Sequence, residues 1–393
     1  MNFEPQTTKT CNFEPQTFKL LNTNNTSNFQ LPPSDFIIVG QGIAGTLLAY
    51  SLIKSGKNVL VIDNHHIGSS SKAAAGIINP ITGRKYVKSW RIDDLLPFAR
   101  QIYQELEALL GIEFYHERNV IRTMSNAKEL NDWSLRTLEP GYAKYISDEV
   151  ELGNYKDKTA PAFGYGEVLH GAQVDLPLLI ESFKQYLAKE NRILNEIFDF
   201  EQIIIKPDHV RYKELNVNKI IFCEGGKARE NPYFNYLPFH GDKGEALIVR
   251  IPDANFEKML KQQIFIVPLD TKHAGFDGRG MSNLYWIGAT YERHYADEHP
   301  SDKGFKYLHD HLKDLLKVPF EVVQHLAAVR PTVRDRRPFL GLHPQFPQLG
   351  IFNGLGTKGA SLGPYWAKHF AAFLVNKKKL DEEVDIQRFE IKP

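Results

Sequence analysis

The sequence predicts an α/β protein in which a nucleotide-type domain, built from separated segments, encloses a largely antiparallel one. Three observations lead there. An apolar run at 36–39 (FIIV) passes directly into Gly40, Gly42 and Gly45, a helix-like stretch and a second apolar run at 59–62 (VLVI). A second glycine-rich segment, 354–363, precedes a helix-like stretch near the other end of the chain. Between these lie short alternating runs at 247–251, 264–267 and 284–287, a pattern of antiparallel strands.

Taken in order, order begins at Asp35. The 36–39 run is continuous and apolar, which suits a strand covered on both faces. The stretch 46–55 has helical composition and stops at Gly56, and Asp63 closes the 59–62 strand. Apolar residues at helical spacing predict helices at 95–110, 176–187 and 306–316, with a closing helix at 364–375. Strands are expected at 120–123 and 219–223, and a loop or hairpin tip at 271–283. The result is a discontinuous Rossmann-like domain at 35–100, 165–237 and 325–393. An α+β domain with an antiparallel sheet occupies 101–164 and 238–324.

Composition narrows the function classes. The chain of 393 residues is 42% hydrophobic and 24% charged, enough to bury a sizeable core. The formal net charge of +1 supplies no global field that would draw it to nucleic acid or an anionic membrane. Its two cysteines, Cys11 and Cys223, argue against a disulfide framework and for a reducing, cytoplasmic compartment. No apolar run reaches the roughly 20 residues of a membrane span. Residues 1–34 are polar and repeat NFEPQT at 2–7 and 12–17, the composition of a flexible leader. The pair His65 and His66 has no partners at ligand spacing, so no metal site is expected.

The chemistry is concentrated in the glycine segments. Gly40 permits a tight turn, Gly42 lets backbone approach a pyrophosphate, and Gly45 lets the helix pack on the strand. Ile43 and Ala44 open the helix whose N–H groups face the phosphates. Asp63 and the adjacent Asn64 stand where a ribose is held. Ser70, Ser71, Ala75, Gly76 and Ile77 form a small-residue stretch that lets backbone pass close to a flat ring. Cys223, Glu224 and Gly225 end another strand. Gly354, Leu355, Gly356, Thr357, Lys358 and Gly359 would offer N–H groups and a helix N-terminus to a ring that gains negative charge.

Together these segments resemble the glycine/D-amino-acid oxidase family of flavoenzymes (the DAO family). The resemblance also rests on 238–248 (PFHGDKGEALI), 287–292 (IGATYE) and the run from Arg330-Pro331-Thr332 through Asp335, Pro338 and Gly341. It extends over about 35–388. It implies FAD, bound non-covalently because no cysteine matches the attachment position of sarcosine oxidases. It further implies oxidation of a C–N bond in a small amine or amino acid. Within the family, 75–80, 98–103 and 355–359 are similar to the oxidase half of the bifunctional enzyme that modifies tRNA wobble uridine. That similarity makes an aminomethyl-uridine in tRNA the alternative substrate. A flavin-binding protein without turnover is the third reading. Glu224 departs from the small apolar residue usual in the family.

Hydride transfer to a flavin needs no fixed base, so the candidate catalytic residues are those that would hold substrate. Lys358 is placed by its motif at the ring edge. Arg330 and Arg334 offer planar forks for a carboxylate. Tyr291 and Arg84 come from segments expected to face substrate. The same residues also read as a solvated loop lysine and a structural ion-pair cluster.

Overall fold

A computed structural model describes residues 34–66, 68–269 and 282–389. The leader expected at 1–34 and the tip expected at 271–283 therefore lie outside the described residues, apart from Ser34, Ser282 and Asn283. Residues 33–393 form one compact unit.

The first apolar run is the centre of a six-stranded sheet. Its order is Ile193–Asn195, Val59–Asp63, Phe36–Val39, Lys219–Phe222, Leu349–Asn353 and Phe339–Leu342. The first five are parallel, and Phe339–Leu342 closes the edge antiparallel. Central strands of such a sheet are covered on both faces, and Phe36–Val39 is buried at every position. Helices Ile43–Lys54, Ile92–Leu110, Leu176–Lys189 and Gly359–Asn376 supply the cover. Their apolar stripes meet around Leu47, Leu106, Phe183 and Trp366, each buried in one core.

An eight-stranded sheet lies beside it, in the order Glu321–Val333, Phe239–Arg250, Leu284–Gly288, Phe265–Pro268, Met259–Lys261, Val120–Met124, Gly164–Val168 and Ile146–Ser147. The pairing is antiparallel except between Met259–Lys261 and Val120–Met124, which run parallel. One face packs on helix Asp302–Leu315 through Leu308, Leu312 and Leu315. The other face carries Met124 and Trp286 and packs against Trp133 of helix Ala127–Thr137.

Several elements are longer than their sequence signals. Helix Ile92–Leu110 contains Pro97, and helix Gly359–Asn376 contains Pro364 where the sequence suggested a start. Strands Phe239–Arg250 and Glu321–Val333 pair along nearly their whole length, including charged stretches that do not alternate. Strand Gly164–Val168 and most of Glu321–Val333 belong to the eight-stranded sheet, whose chain path thus crosses the positions 165 and 325 expected as domain limits. No helix among the described residues is long and apolar enough to cross a membrane.

Candidate active site

Loops leaving the carboxyl ends of four parallel strands converge on one cavity. They follow Phe36–Val39, Val59–Asp63, Lys219–Phe222 and Leu349–Asn353, the side on which open α/β sheets bind ligands. The cavity is about 670 Å³. Residues of the eight-stranded sheet, including Glu245, Lys261, Phe265, Trp286 and Arg330, wall its far end.

The turn after the first strand is built for close approach. Gly40 has φ +96°, and a Cβ there would fall 2.6 Å from the Cys223 carbonyl oxygen. A Cβ at Gly45 would meet the Gly40 carbonyl oxygen at 1.9 Å, so only glycine lets helix Ile43–Lys54 start this close to the strand. No side chain caps that helix at Gly42. The Ile43 N–H donates to Ser71 Oγ at 3.1 Å, which ties the small-residue stretch to the turn. Backbone also fixes the Asp63 carboxylate: the Gln41 N–H donates to Oδ2 at 2.7 Å and the His65 N–H to Oδ1 at 2.8 Å.

The two glycine segments meet here: a Cβ at Gly359 would fall 3.1 Å from Ile43 Cγ2. Asn353 Nδ2 donates to the Gly225 carbonyl at 3.1 Å, and the Gly354 N–H donates to Asn353 Oδ1 at 2.8 Å. One side-chain amide therefore joins the ends of the neighbouring strands Lys219–Phe222 and Leu349–Asn353. Beside it, burial holds the Glu224 carboxyl up at about 7, although Asn231 donates to Oε2 at 2.7 Å. Burial also pushes the Cys223 thiol well above its ordinary value.

At the far end, Arg330 Nη2 donates to the Thr290 carbonyl at 3.1 Å. Its Nη1 is buried with no hydrogen-bond partner among the described residues. Lys358 precedes helix Gly359–Asn376, and its Nζ lies 3.2 Å from Ser89 Oγ. Burial, then Arg336 and Arg337, lower the pKa of its ammonium.

A family model for FAD-dependent oxidoreductases (DAO) matches residues 35–373. The chain belongs to the DAO family of FAD-dependent oxidoreductases. As a member of it, the protein is 24% identical over 389 residues to an uncharacterised oxidoreductase, YurR, of Bacillus subtilis, covering 90% of this chain and 98% of that one. It is 23% identical over 368 residues to glycine oxidase of the same organism, covering 87% and 93%. Among solved structures, glycine oxidase from Bacillus cereus superposes with a TM-score of 0.72 at 20% identity, over 88% of this chain and 96% of that one. Iminodiacetate oxidase from Chelativorans gives 0.70 at 20% identity, over 89% and 98%. At these identities the superpositions show the fold.

The DAO cavity fits FAD on its own geometry. Its volume lies within the roughly 300–1,000 Å³ typical of cofactor pockets. A helix start whose Gly42 supplies no side-chain cap, and of which only the Ile43 N–H is taken by Ser71, suits a diphosphate, and the anchored carboxylate suits ribose hydroxyls. Of the residues singled out from sequence, Gly40, Gly42, Ile43, Ala44, Asp63, Asn64, Ser70, Ser71, Ala75, Gly76, Ile77, Cys223, Glu224 and Gly225 line it. So do Leu355, Gly356, Thr357, Lys358, Gly359 and Arg330. Gly45 and Gly354 do not; they sit behind it, against Gly40 and against Val333 and Phe339.

Arg84, Arg334 and Tyr291 are also not among its lining residues. Arg84 and Arg334 are exposed. Tyr291 is 56% exposed and turns its hydroxyl to Asp242, while its ring lies 5.5 Å from the Arg330 guanidinium. The linear motif could not reveal that turn, because the acid comes from the neighbouring strand. Sequence reasoning missed Lys184, Lys261, Phe265 and Trp286. These sit in ordinary amphipathic elements without glycine punctuation. Only tertiary pairing brings them to the cavity.

Proposed function

We propose that this DAO-family protein oxidises the C–N bond of a small amino acid or secondary amine, with the substrate carboxylate received by Arg330. The observation that carries the reading is the open Nη1 donor of a guanidinium in the cavity wall. A desolvated guanidinium remains charged, and a bidentate carboxylate satisfies it best. The cross-strand neighbour Asp242 makes no hydrogen bond to this guanidinium: its Oδ2 accepts from Tyr291 and Thr332. Glycine oxidases and iminodiacetate oxidase among its relatives act on substrates of this size by name.

FAD, when bound, supplies the hydride acceptor. The chain's part is to bind, orient and exclude water. The Gly40–Gly45 turn and the helix after it would hold the diphosphate, and Asp63 would accept from the ribose. Lys358 and the first turn of helix Gly359–Asn376 would supply positive potential to a ring that gains negative charge. Arg330 would fix the substrate in the cavity by its carboxylate. Loss of hydride and of the N–H proton leaves an imine, which water hydrolyses. The buried, protonated Cys223 thiol supports non-covalent attachment.

The test is anaerobic mixing of the yellow protein with glycine, sarcosine, proline and D-amino acids. Loss of the oxidised flavin spectrum with at least one of them is expected. Reduction only by tRNA carrying an aminomethyl-uridine would overturn the small-molecule reading. Reduction by none of these would point to a flavoprotein without turnover.

A further inference from the structure

A second, smaller chamber of about 160 Å³ opens beside the substrate end of the main cavity. Asn79, Thr82, Lys261 and Phe265 line both, so the two are contiguous. Its distinctive wall is a pair of cations. Arg122 and Lys261 are register partners on the parallel strands Val120–Met124 and Met259–Lys261, and both line the chamber. Like charges placed directly across two strands repel. Burial, with Arg122 beside it, pushes the Lys261 ammonium down to about 8.

Neither Arg122 nor Lys261 forms an ion pair with a carboxylate among the described residues, and the acids nearest the chamber point elsewhere. Glu129 accepts from the Ser125 N–H at 2.8 Å, and Asp132 from Lys128 at 2.6 Å. Lys261 Nζ donates to the Gln263 carbonyl at 2.6 Å and stands 4.7 Å from the Phe265 ring centre. That leaves donors to spare. Arg122 Nε and Trp133 Nε1 are buried with no hydrogen-bond partner among the described residues, and the Tyr86 hydroxyl stands beside the Arg122 guanidinium. Two orphaned donors and two cations without an ion pair around one chamber cost stability unless an anion enters.

We infer that the chamber is a subsite for a second carboxylate, so that the preferred substrate is a dicarboxylic amino or imino acid. Its distal acid lies against Arg122 and Lys261 while the carboxylate beside the amine occupies Arg330. This rests on the substrate class proposed above and narrows it. Tyr86 and Trp133 shape the chamber; their rings meet edge to face at 5.1 Å behind Arg122. Opposite Arg122 on its other side stands Gly166, where a Cβ would strike the Trp133 ring at 2.2 Å. The bulky indole therefore fits behind the guanidinium only because that strand carries no side chain there.

Calorimetric titration of the flavin-loaded protein at pH 7 with glutarate and with butyrate, which is glutarate without its second carboxylate, tests the assignment. Glutarate is expected to bind about tenfold or more tightly than butyrate, the worth of one charge-assisted contact. In Lys261→Met and Arg122→Met that preference should fall to about twofold, with butyrate binding unchanged. Equal affinities in the wild type, or a preference that survives in the folded variants, would overturn it. Lys261→Met alone decides if Arg122→Met does not fold. A protein reduced by amines but indifferent to the second carboxylate removes only this inference. One that prefers glutarate but is reduced by no amine removes the oxidase reading instead.

Discussion

The Tyr103 hydroxyl donates to the Ala360 carbonyl at 2.8 Å. Pro364, four residues on, has no N–H to give that carbonyl, so a helix beginning at Gly359 would leave it unsatisfied in the core. Tyr103 is fully buried and Ala360 nearly so. The bond joins helix Ile92–Leu110 to the turn that carries Lys358 into the cavity. Tyr103→Phe should lower stability by about 1–3 kcal/mol, the cost of an unpaired buried polar group. Denaturant unfolding checks this; a loss under about 0.5 kcal/mol would mean water replaces the hydroxyl.

Gly42→Asp should fold and yet hold no FAD. A Cβ at Gly42 would lie 3.2 Å from Ser71 Oγ, a tight contact that a serine rotamer change relieves. The added carboxylate, however, would sit at the helix start offered to the diphosphate, where like charges repel. Flavin absorbance per protein, alongside a normal circular dichroism spectrum, is the measurement. Full flavin content would refute the diphosphate assignment.

Glu224 gives a pH dependence with a definite sign. Its carboxyl is held at about 7 in the fold against an ordinary 4.5, chiefly by burial. Between those values the folded chain keeps a proton that the unfolded chain has released, so stability falls as pH rises through that window. Glu224→Gln removes the titration. In flavin-free protein the variant should gain about 1–3 kcal/mol relative to wild type between pH 4.5 and 8. Parallel stability profiles for the two proteins would contradict the burial argument.

What was legible in sequence follows from how local each signal is. The run Phe36–Val39, its glycine turn and the helix after it are encoded within twenty residues, and the structure places them where the pattern does. The strand Phe239–Arg250 was only half legible. Its first half, FHGDKG, has no apolar alternation, and it is a strand because Glu321–Val333 pairs with it. Its charges find partners only in three dimensions: Lys243 Nζ lies 3.4 Å from Glu245 Oε1, and His325 Nε2 lies 2.9 Å from Glu245 Oε2. Arg122 and Lys261 were invisible for the same reason. They are neighbours by parallel pairing across a long stretch of chain, and no motif links them.

Gly244 provides a way to test Arg330 without removing its charge. The guanidinium lies over this glycine so closely that a Cβ would fall 2.0 Å from Nη2. Gly244→Ala must therefore displace the Arg330 head group, the mobile end of a long side chain, while strand pairing persists. If Arg330 receives the substrate carboxylate, Gly244→Ala and Arg330→Met should fail alike. Each should keep its flavin and lose about tenfold to a hundredfold in kcat/KM for the amino acid, the worth of one charge-assisted contact. An amine without a carboxylate should be oxidised equally by both variants and the wild type. Steady-state kinetics with such a matched pair of substrates separates the two cases. A loss shared by the carboxylate-free amine would assign Arg330 to the shape of the wall rather than to recognition.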